Sequence, residues 1–251
     1  MKYLSAIILY IFCCKDVLSN NDHALSIYTE SFPPYNYLEN DKIVGINTEI
    51  VSMMCANTNL HCNIKLLPWN RAVALSIKTP NSAIYSMSRN LNREKQYKWV
   101  GPLVASNNYF FRLKSRTDIN ISEVSQATNY SIAAPRNDIY EKVLKERGFK
   151  NILSLSSKYQ DVKLFLTGKI DLLVASPLTL PHQLAKHGVS IDMVTKLIPL
   201  NVPELQGNYL ALHPDTSENV IRKLQNSLNL LRNSGKILEL TEQYKTKHIA
   251  N

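Results

Sequence analysis

Between Ala24 and Met87, short apolar runs alternate with stretches of helical periodicity, and this alternation limits the available folds more than any other feature of the chain. Ala24 to Thr29 has strand composition. A rigid aromatic loop follows, Glu30 to Tyr35 with two adjacent prolines, and a turn at Asn40 and Asp41 leads to Lys42, Ile43, Val44 and Gly45. Ile46, Ile50, Met53 and Met54 then share one helical face, and Asn63 to Leu67 reads as the next strand. Pro68 opens a helix carrying Trp69, Ala72, Val73 and Ile77 at helical spacing, and a third strand begins at Ala83. The order strand, helix, strand, helix, strand predicts an α/β architecture with a parallel sheet and right-handed crossovers.

A second series of the same kind follows. Asn108 to Leu113 and Tyr130 to Ala134 read as strands, and Asp138 as the cap of a helix with Glu141 at the reciprocal position and Gly148 just past its end. Ser157 caps a helix with Val162, Phe165 and Leu166 that stops at Gly168. Ile170 to Ala175 is an apolar run of the fully buried kind, and Leu178 to His187 a short helix closed by Gly188. From Thr216 the chain returns to helix: Val220, Ile221, Leu224, Leu228 and Leu231 form a stripe, continued past Gly235 by Ile237, Leu238 and Leu240. Two such series predict two lobes. With only 7 glycines and no Gly/Ser linker, the lobes are expected to be joined by crossing strands.

At 251 residues, with 45% hydrophobic and 20% charged, the chain can bury a sizeable core. Its net charge of +9 raises the question of nucleic acid, but Lys and Arg are scattered singly or in twos, with no zinc, RRM or recognition-helix signature. The charge instead favours anionic small molecules or an anionic membrane surface. Lys2, the apolar segment Tyr3 to Phe12, and then Val17, Leu18 and Ser19 predict a signal peptide over residues 1–19 and an exported, soluble product. A lipid anchor at Cys13 or Cys14 is disfavoured by the large Ile11 and Phe12 before them. The mature chain keeps Cys55 and Cys62, most economically a disulfide in an exported protein; a metal site including His61 is the rival, without a second Cys or His pair to complete it. No histidine pair has metal-helix spacing, and neither metal nor cofactor is expected.

The chemistry concentrates after the third strand, which breaks into Ser88, Asn90 and Asn92 and ends at Arg93. Arg93 offers a planar fork of donors matched to a carboxylate, and Ser86, Ser88 and Asn90 can satisfy the remaining lone pairs. Trp99 to Gly101 return the chain to apolar surroundings, and Pro102 is expected to end that strand. Each residue also has a plainer role: a loop arginine such as Arg93 or Arg136 is commonly just solvated, Trp69 on its apolar stripe is commonly core, and Asp138 is commonly only a cap.

Taken in order, the export signal, Phe32-Pro33-Pro34-Tyr35, Gly45-Ile46-Asn47-Thr48-Glu49, Ser86 and Ser88 with Arg93-Glu94, and Gly168-Lys169-Ile170-Asp171 resemble the family 3 solute-binding proteins of bacterial ABC transporters. The resemblance covers roughly Ala24 to His248. It implies a periplasmic, monomeric venus-flytrap protein with residues 20–104 and 208–251 in the first lobe, 105–207 in the second, and two crossing strands near Val104 and Gly207. It further implies a small carboxylate ligand, an amino acid or related polar compound, held in the cleft for a membrane permease. Arg93 would pair with the carboxylate, Ser86, Ser88 and Asn90 would complete that contact, and Phe32, Tyr35 and Trp69 would line the apolar side. Arg136, Asp138 and Ser176 would draw the second lobe shut.

The departures from that family are specific. Where its amino-acid binders place an acid for the ligand's ammonium, this chain has Ser176 followed by Pro177, and Asp138 and Glu204 are the candidate substitutes. Asn137-Asp138, preceded by Arg136, stands in place of the family's Gly-Thr or Gly-Ser pair, and Asn47 in place of an Asp. Two alternatives share the resemblance: an exported dehydratase-like enzyme acting on a cyclic carboxylic acid, which would need a second-lobe acid where Ser176 stands, and a ligand-sensing module for a membrane receptor.

Overall fold

The computed structural model describes residues 24–156, 160–203 and 206–247; the expected signal peptide, Ser157 and Glu204 lie outside these ranges. The first unit follows the expected alternation. Strand β1 (Ala24–Thr29) leads through the aromatic loop to a hairpin of β2 (Tyr37–Glu39) and β3 (Lys42–Val44). Its turn residues, Asn40 and Asp41, both take positive φ, a conformation that asparagine and aspartate tolerate. Helix α1 (Ile46–Thr58) buries Ile46, Ile50, Val51 and Met54 and ends at Asn59 in the left-handed conformation. β4 (His61–Leu66), α2 (Trp69–Lys78) and β5 (Ser82–Met87) complete the series, and β1 runs parallel to β4 on one side and β5 on the other. A disulfide between Cys55 and Cys62 ties the end of α1 to β4, so the metal reading of that cysteine pair falls.

α3 (Leu91–Glu94) and β6 (Lys98–Ala105) lead to a second group of elements: β7 (Tyr109–Leu113), α4 (Val124–Ala127), β8 (Ile132–Pro135), α5 (Ile139–Glu146), β9 (Ile152–Leu155), α6 (Gln160–Leu166), β10 (Leu173–Ala175), α7 (Leu180–Ala185) and β11 (Val194–Pro199). β7 is paired antiparallel with β10 and β11, while β8 and β9 pair in parallel. The strand expected over Ile170 to Ala175 is shorter than its apolar run. Leu172 only bridges to Ile132, because Asp171 turns aside and accepts from Ser131 N, Ser131 Oγ and the Arg116 guanidinium.

The tail then returns to the first group. β12 (Gly207–Leu212) inserts between β5 and β6, antiparallel to both, and closes a mixed five-stranded sheet of order β4-β1-β5-β12-β6. Pro102 does not end its strand as expected. Gly101, Pro102 and Leu103 stand opposite the single residue Tyr209 in an irregular step of the ladder, where the missing proline N–H breaks no regular pairing. α8 (Glu218–Asn233) and α9 (Lys236–Lys247) cover the sheet beside α1. Ile237 and Leu240 pack on this core, but Leu238 is 66% exposed, since 3.6 residues per turn cannot place all three on one face. One core gathers Ile27, Ile50, Met54, Leu210 and Leu228; separate clusters form around Phe110, Leu144 and Leu172 and around Phe165 and Leu173.

Candidate functional site

A cleft of about 710 Å³ opens between the two groups of strands. One wall comes from the loop after β1 (Phe32), the start of α2 (Trp69), and the end of β5 with α3 (Ser86, Ser88, Asn90 and Arg93). The facing wall comes from Asp138, Tyr140, Asp161, Ser176 and Thr179, and the floor from Ser106, Asn108, Gly207 and Asn208 near the paired strands β6 and β12.

Arg93 is held in place by its own loop and by Trp69. The Asn90 side chain caps α3 by accepting from Arg93 N at 3.1 Å, and Arg93 Nη1 donates to the Ser88 carbonyl at 3.1 Å. The guanidinium lies over the Trp69 ring, 5.7 Å from its centroid. Burial lowers its pKa, but a guanidinium stays charged regardless. Among the described residues Arg93 makes no ion pair, and four of its five N–H donors make no described hydrogen bond.

Ser86 has a different task from its neighbours. It is the extra residue of a bulge in β5, since Tyr209 pairs with Met87 and Leu210 with Tyr85, and its φ is 62°. Its hydroxyl donates to Asn36 Oδ1 and accepts from Asn47 Nδ2 at 2.8 Å. The hydroxyl hydrogen is therefore committed inside the protein, and Asn47 holds the strand end in place.

Eight of the ten residues named from the sequence line this cleft; Tyr35 and Arg136 do not. Tyr35 is 1% exposed and lies in the core against Phe32, ring centroids 5.2 Å apart, with its hydroxyl donating to Ser106 Oγ at 3.4 Å. An apolar body with one polar tip suits the base of the cleft better than its surface. Arg136, just after β8, is exposed to solvent. Sequence reasoning missed Asp161, Ser106, Asn108 and Asn208. Asn208 is 7% exposed, and its Nδ2 has no hydrogen-bond partner among the described residues. No local pattern marks such a residue, because β12 carries it to the cleft from the far end of the chain.

A family model for bacterial extracellular solute-binding proteins, family 3, matches residues 25–247. The chain belongs to that family. Solved structures share the fold at low identity. The sensor domain of a histidine kinase with similarity to periplasmic binding proteins superposes with a TM-score of 0.73 at 15% identity, covering 89% of this chain and 96% of that one. An amino acid ABC transporter substrate-binding protein from Streptococcus pneumoniae, bound to L-arginine, gives 0.70 at 15%, covering 89% and 94%. Substrate-binding domain 2 of GlnP from Lactococcus lactis, in an open conformation, gives 0.66 at 16%, covering 90% and 96%. No curated protein matches this chain.

The wall facing Arg93 carries three carboxyls, Asp138, Glu141 and Asp161. Two backbone donors around the start of α5 are taken by the protein itself: Asp138 Oδ1 accepts from Tyr140 N at 3.1 Å, and Glu141 Oε2 from Asn137 N at 2.7 Å. Ser176, 6% exposed, uses its oxygen to accept from Leu178 N at 3.2 Å. Asp138 lies within Coulomb reach of Arg93 and offsets the effect of burial on it. Burial pushes the Asp161 carboxyl above its usual range.

Glu141 is shifted the other way, to about 2, by hydrogen bonds from Ser154, Lys145 and the Asn137 backbone. Its folded value lies below the ordinary 4.5, so it contributes stability that is present above that pH and is lost as pH falls toward 2. The melting temperature of the ligand-free protein is expected to fall across this window, and Glu141→Gln to flatten the fall in calorimetric scans. An unchanged pH profile in the variant would show that Glu141 makes no such contribution.

Proposed function

We propose that this protein captures a small solute bearing a carboxylate, an amino acid or a related polar compound, and presents it to the permease of an ABC transporter. The observation that carries the reading is Arg93: a guanidinium stacked on Trp69, anchored to Ser88, lining a solute-sized cleft and making no ion pair among the described residues. Family membership and the L-arginine in a protein of the same fold support it. The described residues within 24–104 and 208–247 form the first lobe and those within 105–207 the second, with the hinge where β6 and β12 pair, Val104 opposite Asn208 and Ala105 opposite Gly207. A ligand touching both walls favours the closed form, and one touching a single wall cannot.

The protein works after export and cleavage behind Ser19, as a monomer in the periplasm, and it binds its ligand without converting it. The test is a thermal-shift series on the mature chain from Asn20 onward, against L-amino acids, carboxylates lacking an amine, and short peptides. A true ligand at a thousandfold over its dissociation constant stabilises by about 4 kcal/mol, and should be recovered chemically unchanged after incubation. Stabilisation by no carboxylate would overturn the reading, and a converted ligand would favour the dehydratase-like alternative.

A further inference from the structure

We infer that Asp161 receives a protonated nitrogen of the ligand, so that the solute is an amine-bearing carboxylate and α6, not the end of β10, supplies its cation partner. The assignment rests on Arg93 being the carboxylate site.

Four observations support it. Asp161 lines the same cleft as Arg93 and Ser176, from the first turn of α6 on the facing wall. Its Oδ1 accepts from Val162 N at 2.9 Å, and among the described residues it makes no ion pair. The other carboxyls of that wall are already engaged: Glu141 is held by Ser154, Lys145 and Asn137, and Asp138 caps α5 while facing the charge of Arg93. Ser176, at the end of β10, is a neutral hydroxyl in the bend before α7.

A carboxylate partly withdrawn from water and left without a cation is costly, and a ligand ammonium entering the cleft removes that cost. The upward shift of the Asp161 pKa is the mark of that desolvation. The two lysines that line the Asp161 wall are paired with acids of their own helix, Lys145 with Glu141 at 3.0 Å and Lys142 with Glu146 at 3.8 Å, so a solute with its carboxylate at Arg93 and its ammonium at Asp161 bridges the walls as closure requires.

The test is calorimetric titration of the mature protein with the twenty L-amino acids, each binder paired with its des-amino carboxylic acid. In wild type the amino acid is expected to bind roughly 100-fold more tightly than its des-amino partner, the size of effect seen when one member of a buried charge pair is removed. In Asp161→Asn that ratio should collapse to within about threefold, with affinity for the des-amino acid retained. The ligand-free Asp161→Asn protein should also melt higher than wild type, since the neutral amide is not penalised by burial. Asp161→Ser, which keeps an acceptor for Val162 N, repeats the comparison if the amide variant fails to fold. A ratio that survives either substitution overturns the assignment. Preference for amine-free acids in wild type overturns it while leaving Arg93 as the anion site, and failure of every carboxylate to bind overturns both.

Discussion

Replacing Arg93 with alanine is expected to weaken ligand binding by two to three orders of magnitude and to leave the fold intact. Losing one partner of a desolvated, hydrogen-bonded charge pair costs about 2–5 kcal/mol, because the ligand carboxylate would enter the cleft without its counter-charge. Stability should barely change, since the side chain is only half buried and its one described hydrogen bond runs to a carbonyl of its own loop. Arg93→Lys should recover part of the affinity, because it keeps the charge but not the two-pronged geometry or the stacking on Trp69. Isothermal titration with any ligand found in the thermal series decides the matter, and wild-type affinity in the alanine variant would remove Arg93 from the site altogether.

The second large effect falls on stability, at Gly45. This residue precedes α1 with φ at 123°, outside the range that side-chain-bearing residues adopt readily, and a Cβ there would stand 2.5 Å from the Tyr35 carbonyl oxygen. The contact is with backbone that cannot move freely, because Tyr35 O accepts from Asn47 N at 2.9 Å and Thr48 N at 3.3 Å and so satisfies the first turn of α1. Gly45→Ala is expected to cost about 3 kcal/mol or more, a large share of the 5–15 kcal/mol typical of a folded domain. At this chain length that corresponds to a fall in melting temperature of roughly 6–12 °C. The damage should also reach the cleft, since α1 places Asn47 against Ser86. A variant melting within a degree of wild type would show that the loop gives way easily.

Much of the site was legible because its chemistry is local. Asn90 caps the short helix that carries Arg93, Ser88 anchors the guanidinium, and these residues are near neighbours in sequence. Asp138 was legible as a cap for the same reason. Asp161 was not, because an acid in the first turn of a helix is ordinary and only the packing of α6 turns this one toward the cleft. Tyr35 failed in the opposite direction. The aromatic loop is a sequence motif, but whether a ring faces the cleft or the core depends on what lies beneath it, here Phe32, Ser106 and the sheet.

By itself the sequence determined the alternation of elements, the parallel run of β4, β1 and β5, the turns and caps, and the polar loop after β5 that carries Arg93. Those follow from side-chain periodicity and from conformations that single residues permit or forbid. Tertiary structure decided that β12 enters antiparallel between β5 and β6, that β6 runs on through Pro102, and that Ser86 becomes a bulge whose hydroxyl is held by Asn36 and Asn47. It also decided that Asp161 shares a cleft with Arg93. Such outcomes depend on which distant surfaces are buried together, and a local pattern contains no information about the strand or helix that will cover it.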